Sequence, residues 1–167
     1  DERAAGQTLG GNFEGAIATF LNDTFLVLGM LRPGRWDIRN VGNLRRSALS
    51  EYEPYRHLAD LDEAVTRDPT LLSVLGNAYA ISPDIIVSRM PEPDQFINAS
   101  QDVVDDRSAT HAVIRETTSG APIPHAVVSC KWTLRSDRAQ NARSEALNLI
   151  RNRKGRNPYI AVVTFEP

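Results

Sequence analysis

Two runs rich in β-branched and apolar residues, His125 to Trp132 and Tyr159 to Phe165, bracket a segment of helical periodicity. No other feature constrains the fold as tightly. Between them, from Arg138 to Arg151, Ala139, Ala142, Ala146, Leu149 and Ile150 share one face, which predicts an amphipathic helix. Gly155 and Pro158 end it. Tyr159 to Phe165 then reads as a last, buried strand.

The rest of the chain is consistent with that core. Phe13, Ile17, Phe20, Leu21, Phe25, Leu28 and Leu31 recur at helical spacing from about Asn12 to Leu31, with Pro33-Gly34 as the stop. Arg32 to Ser50 is polar and broken by glycines. Arg56 to Thr66 predicts a modest amphipathic helix. Asp68-Pro69 predicts an N-cap and first helical position leading a short helix through about Gly76. Ile85 to Val87 predicts a short strand. Pro91 to Asp106, with two prolines and five acids, predicts a loop. His111 to Glu116 predicts a further strand centred on Val113 and Ile114. The expected order is helices, three strands, a helix and a strand. That is an α/β fold, a mixed sheet flanked by helices, forming one domain over residues 1–167.

Composition narrows the function classes. The longest apolar run, Phe25 to Leu28 extended to Leu31, is too short to span a bilayer, so no membrane association is expected. No secretory signal pattern is visible at the N-terminus, and a cytoplasmic location is expected. A single cysteine excludes an internal disulfide and a multi-cysteine zinc site. The net charge of −2 averages two unlike regions: Lys131 to Arg156 holds eight Lys and Arg against Asp137 and Glu145, or +6, which leaves −8 elsewhere. A basic stretch on an acidic body is the footprint of a directional anion-binding face. The chain begins at Asp1 without a methionine and ends just after a strand-like run, and so reads as an excised or truncated segment.

The same stretch carries the chemistry. Ser129-Cys130-Lys131 lies on a strand, Arg135-Ser136-Asp137-Arg138 follows, and Glu145 lies on the next helix. Hydrolysis of a phosphodiester calls for charge neutralisation at the phosphate and hydroxide beside it, and a divalent cation held by carboxylates supplies both. Magnesium keeps several waters, so one aspartate and a backbone carbonyl suffice as the protein's share. Asp84, at the head of the strand Ile85 to Val87, is the candidate carboxylate, and the carbonyl of Cys130 the second oxygen. Strand alternation puts Ser129 and Lys131 on one face and the Cys130 side chain on the other. Lys131 would then steer water and offset charge, and Glu145 would bind metal-held water. Taken singly, Asp84 is an ordinary turn former, Lys131 a surface lysine and Glu145 a helix-surface acid; their conjunction makes the case. Arginine matches O6 and N7 of guanine, and a carboxylate accepts from N4 of cytosine. Arg135, Asp137 and Arg138 are therefore candidates to read G·C pairs, with a helix N-cap as the competing role for Asp137. His57, His111 and His125 lack metal-ligand spacing and are read as structural.

Pro83-Asp84, 47 positions to Lys131 in Ser-Cys-Lys and 14 more to Glu145 resemble the NgoMIV-type type II restriction endonucleases. These form the branch of the PD-(D/E)xK nucleases whose second acid has moved from the strand to the following helix. The resemblance extends from the first helix to Pro167, and SCKWTLRSDRAQNARSEALNLI is its most specific run. It implies a restriction-endonuclease-like core, two Mg²⁺ ions contacted by Asp84 with the Cys130 carbonyl as a further ligand, and Ser129 and Lys131 completing the catalytic strand. Glu145 would replace the displaced strand acid, and Glu14 would be a further active-site glutamate. Arg135, Asp137 and Arg138 would read a CCGG core, with GCCGGC as the full palindrome, leaving four-nucleotide 5′ overhangs in double-stranded DNA. The resemblance also implies a bacterial homodimer or homotetramer with a cognate DNA methyltransferase, from which parts at both ends are missing here. The competing expectations are a repair or recombination nuclease of the same fold and a non-catalytic DNA-binding remnant.

Overall fold

The first helix starts earlier and stops earlier than its apolar spacing suggests. In the computed structural model, which describes residues 2–42, 48–75 and 81–166, α1 runs Glu2–Phe25 and tightens into a 3-10 turn at Leu26–Leu28. Ala4 and Ala5 are strong helix formers and carry it through Gly10 and Gly11. At its end, the side chains of Asn22 and Thr24 donate to the carbonyls of Ala18 and Phe20. Such back-bonding weakens the last turn. Gly29 to Leu31 is turn, so Pro33-Gly34 is not what ends the helix.

The polar stretch that follows contains β1, Trp36–Asn40, a strand that the sequence did not announce. It exists through pairing: all five residues align antiparallel with β2, Ile85–Arg89, from Trp36↔Arg89 to Asn40↔Ile85. Between them lie two 3-10 turns (Ala48–Glu51 and Glu53–Tyr55), α2 (His57–Arg67) and α3 (Pro69–Leu75). Asp68 caps α3 by accepting from the Thr70 N–H at 3.0 Å, as its place before Pro69 predicts; Gly76 lies outside the described residues.

After β2, the loop expected over Pro91 to Asp106 holds one short turn of helix, α4 (Asp94–Ile97). The strand expected at His111 to Glu116 does not form. That segment is turn, joined to the sheet region by a lone bridge between Glu92 and Arg115. Arg115 explains why: its guanidinium is buried, paired with Asp94 at 2.6 Å, and donates to the carbonyls of Asp105 and Ser108. Its side chain gathers a loop, where a strand would have pointed Val113 and Ile114 into a ladder.

The chain then enters β3 (Ile123–Thr133), crosses over through α5 (Ser136–Asn152) and returns as β4 (Tyr159–Glu166). The sheet order is β1-β2-β3-β4, with β2 antiparallel to β3 and β3 parallel to β4. A helix between adjacent parallel strands is the connection that pairing demands.

Alternation along β2 and β3 builds a core on each face. Ile85, Val128 and Cys130 pack under Phe13, Ile17 and Leu21 of α1. Ile86 and Val127 face the other way, onto Leu49, Tyr52, Tyr55, Leu58 of α2 and Leu149 of α5. Buried on both sides, β2 is the centre of the layered structure. β4 is different: Tyr159, Val162 and Phe165 are exposed, so this edge strand is not the buried one expected. Its outer end is held by aromatic contact, Phe165 stacking on Trp132 at 4.4 Å with Phe13 edge-on to both. Among the described residues no helix is long and apolar enough to cross a membrane.

Candidate active site

β3 outruns β2. The ladder between them ends at Ile85↔Val128, so from Ser129 onward β3 has lost its partner on that side. Asp84 fills the gap with its side chain. Its Oδ2 accepts from the Cys130 main-chain N–H at 2.6 Å and from Ser129 Oγ at 3.4 Å. The Asp84 carbonyl accepts from the N–H groups of Val41 and Gly42 at the end of β1, at 2.8 and 3.2 Å. Buried Pro83 precedes it. The carboxylate is thus fixed at the junction of three strands.

Ser129 and Lys131 point to the face carrying α5, as alternation predicts, and there they meet Glu145. Lys131 Nζ lies 3.5 Å from Asp84 Oδ2 and 3.6 Å from Glu145 Oε2, and Ser129 Oγ lies 3.0 Å from the same Glu145 oxygen. One ammonium and one hydroxyl therefore bridge a strand carboxylate and a helix carboxylate. The Lys131 and Asp84 side chains are each 16% exposed, while Glu145 opens to solvent at 37%. The centre is screened yet reachable.

Glu14 on α1 faces the same centre from the other side of the sheet end. Its Oε2 lies 3.7 Å from where a Cβ on Gly42 would stand. Gly42 has φ +43°, and its N–H is one of the two that hold the Asp84 carbonyl. Burial, and then the charge of Asp84, push the Glu14 carboxyl above its usual range, with Lys131 offsetting part of the effect. The Cys130 thiol is pushed up to about 12 by burial, Asp84 and Glu14, which makes it inert as a nucleophile. Only its peptide group faces Asp84.

Three carboxylates around one lysine leave two negative charges in excess if all ionise. Such a centre favours a cation. No three His, Cys, Asp or Glu side chains among the described residues converge tightly enough to hold an ion by themselves. An ion here would therefore draw on Asp84, main-chain oxygen, water and phosphate, a donor set that suits a hard divalent cation.

α5 starts only two residues after β3, at Ser136. Arg135 is its N-cap, with no side-chain capping bond. This corrects the capping role weighed for Asp137, which sits inside the first turn, where the helix dipole favours its charge. Arg135, Asp137 and Arg138 are all exposed and form no ion pair among the described residues. The basic stretch as a whole is divided: α5 has 17 residues, about 25 Å, and Lys154 and Arg156 lie beyond its far end. The residues that sequence reasoning missed are Val41, Gly42 and the Cys130 N–H. They act through main-chain atoms, and the glycine after β1 was their one visible trace.

The mixed sheet, the crossover helix and the carboxylate–lysine cluster at the open end of β3 define a restriction-endonuclease-like α/β core. The chain belongs to the NgoMIV restriction enzyme family, whose profile matches residues 1–167. It is 48% identical over 166 residues to the type II restriction enzyme NgoMIV of Neisseria gonorrhoeae, a match covering 99% of this chain and 58% of that protein. The chain thus spans little more than half the length of that curated relative.

Proposed function

We propose that this chain carries the catalytic centre of a divalent-metal-dependent type II restriction endonuclease that hydrolyses double-stranded DNA. The observation that carries the reading is the position of Lys131 Nζ between Asp84 Oδ2 and Glu145 Oε2, at 3.5 and 3.6 Å, with Ser129 Oγ 3.0 Å from Glu145 and 3.4 Å from Asp84. When bound, Mg²⁺ neutralises phosphate charge and acidifies water. Asp84 and the Cys130 carbonyl would hold it, and a second ion would need the phosphate's charge in addition to Glu14. Lys131 orients water toward the phosphorus and offsets the charge that develops on the phosphate oxygens. Glu145 accepts a hydrogen bond from that water, and Ser129 keeps Glu145 aligned.

Arg135, Asp137 and Arg138, free and exposed beside the centre, would read a CCGG core in the major groove. The resemblance to such enzymes implies GCCGGC as the full site, cut to leave four-nucleotide 5′ overhangs. A palindromic site calls for two copies of the centre related by a two-fold axis, so a homodimer or homotetramer is the working form. A DNA methyltransferase protecting the same sequence would be its genetic partner in the bacterial cytoplasm.

The test is cleavage of plasmid DNA with Mg²⁺ against EDTA, for the wild-type protein and Lys131→Ala. The wild type should cut at discrete sites only with the metal, and the variant should bind those sites without cutting. Cleavage by Lys131→Ala at the wild-type rate would overturn the assignment.

A further inference from the structure

At the other end of the sheet lies a cavity that the catalytic reading leaves unused. It encloses about 460 Å³ where β1 begins, β2 ends and β3 begins. Six residues of strand separate His125 on its wall from Lys131, so it lies roughly 20 Å from the carboxylate cluster. Trp36, Ile114 and Ile123 supply apolar wall, while Arg89, Lys154 and Arg156 supply positive charge. Among the described residues these three cations form no ion pair. The carboxylate on the wall, Glu53, is already engaged, accepting from Ser119 Oγ and lying 3.9 Å from Arg56.

Arg89 is placed there by the fold. A Cβ at residue 34 would lie 2.6 Å from Arg89 Nε, so Gly34, at φ +122°, is what admits the guanidinium. Its other neighbour is the Trp36 ring, 5.9 Å from the guanidinium carbon. Arg89 Nε is buried and has no hydrogen-bond acceptor. His125 reports the same positive field: burial, then Arg32 and Arg156, hold its imidazole below the usual range.

We propose that this cavity binds a phosphate-bearing ligand of nucleotide size, its phosphate on Arg89, Lys154 and Arg156 and its ring on the apolar wall. The volume suits a ligand of that class. The catalytic assignment does not depend on it.

Titration of the purified protein with deoxyadenosine monophosphate tests the idea, followed by calorimetry and by the indole N–H resonances of Trp36 and Trp132. Saturable binding that shifts Trp36, leaves Trp132 in place and weakens at least about tenfold in Arg89→Gln would support it. Lys154→Gln, at an exposed position, should weaken binding in the same direction and guards against misfolding of the Arg89 variant. Arg67→Gln, on α2 and outside the cavity wall, should leave it unchanged. Absence of saturable binding would overturn the proposal, as would binding unaffected by both the Arg89 and the Lys154 changes. Equal affinity for inorganic phosphate would overturn the nucleotide assignment.

Discussion

The main-chain N–H of Cys130 donates to Asp84 Oδ2 across 2.6 Å, which ties the carboxylate to the strand that bears Lys131. The bond survives replacement of the Cys130 side chain, because only the peptide takes part. It is lost when residue 84 no longer offers a side-chain oxygen.

Asp84→Asn should therefore separate chemistry from folding. The amide keeps an oxygen for the Cys130 N–H but removes the charge that Lys131 and a cation require. DNA cleavage should fall on the order of a thousandfold or more, several kcal/mol of transition-state stabilisation, while circular dichroism and sequence-specific binding persist. Retained cleavage would show that the ion, if present, is held elsewhere.

Glu14 should make stability depend on pH and on metal. Its carboxyl lies above the usual range in the folded protein, so the folded state holds the proton more tightly than the unfolded chain does. Its contribution is complete below about pH 4.5, the ordinary glutamate value, and is lost as pH rises through the folded value. Without divalent ions, Glu14→Gln should melt at a higher temperature than wild type at pH 7 and at the same temperature at pH 4. Mg²⁺ should narrow the gap at pH 7. Melting curves that run parallel at both pH values would contradict the sign.

Arg135→Ala and Arg138→Ala probe base reading. Each should reduce discrimination between CCGG-containing and altered duplexes by roughly 1–3 kcal/mol. If each instead weakens binding uniformly for all sequences, with a shallower salt dependence, the arginines touch phosphate only.

Two buried tyrosines should respond in opposite ways. Tyr55 Oη donates to the Leu149 carbonyl at 3.1 Å, so Tyr55→Phe leaves that carbonyl unmatched and should cost about 1 kcal/mol. The Tyr52 hydroxyl is buried without a hydrogen-bond partner among the described residues. Tyr52→Phe should be neutral or stabilising. Urea denaturation of both variants measures the contrast.

The strand bearing Ser129 and Lys131 was legible because its information is local. Ser129, Cys130, Lys131 and the helix to Glu145 lie within 17 residues, and alternation alone assigns their faces. Asp84 could be placed at a strand start, but its bond to the Cys130 amide arises from β3 outrunning β2, which no local pattern encodes. Glu14 entered through family resemblance, since helical spacing showed only that it borders an apolar face. β1 escaped notice because Asp37, Arg39 and Asn40 are polar, and its pairing with β2 is what makes it a strand. His111 to Glu116 misled for the opposite reason: its β-branched pair is local, while the Arg115–Asp94 bond that bends it away joins residues 21 apart. The cavity at the start of β3 draws on six separate stretches and had no signature at all.

Only Leu134 and Arg135 connect Thr133, the last residue of β3, to Ser136, the first of α5. So short a tether leaves no slack between the arginines proposed to read bases and the lysine proposed to orient water. A wrong base pair that tilts the helix would disturb the attacking geometry in the same motion. Fidelity would then appear in turnover as well as in occupancy, and relaxed-specificity variants of this segment would be expected to cut slowly even where they bind well.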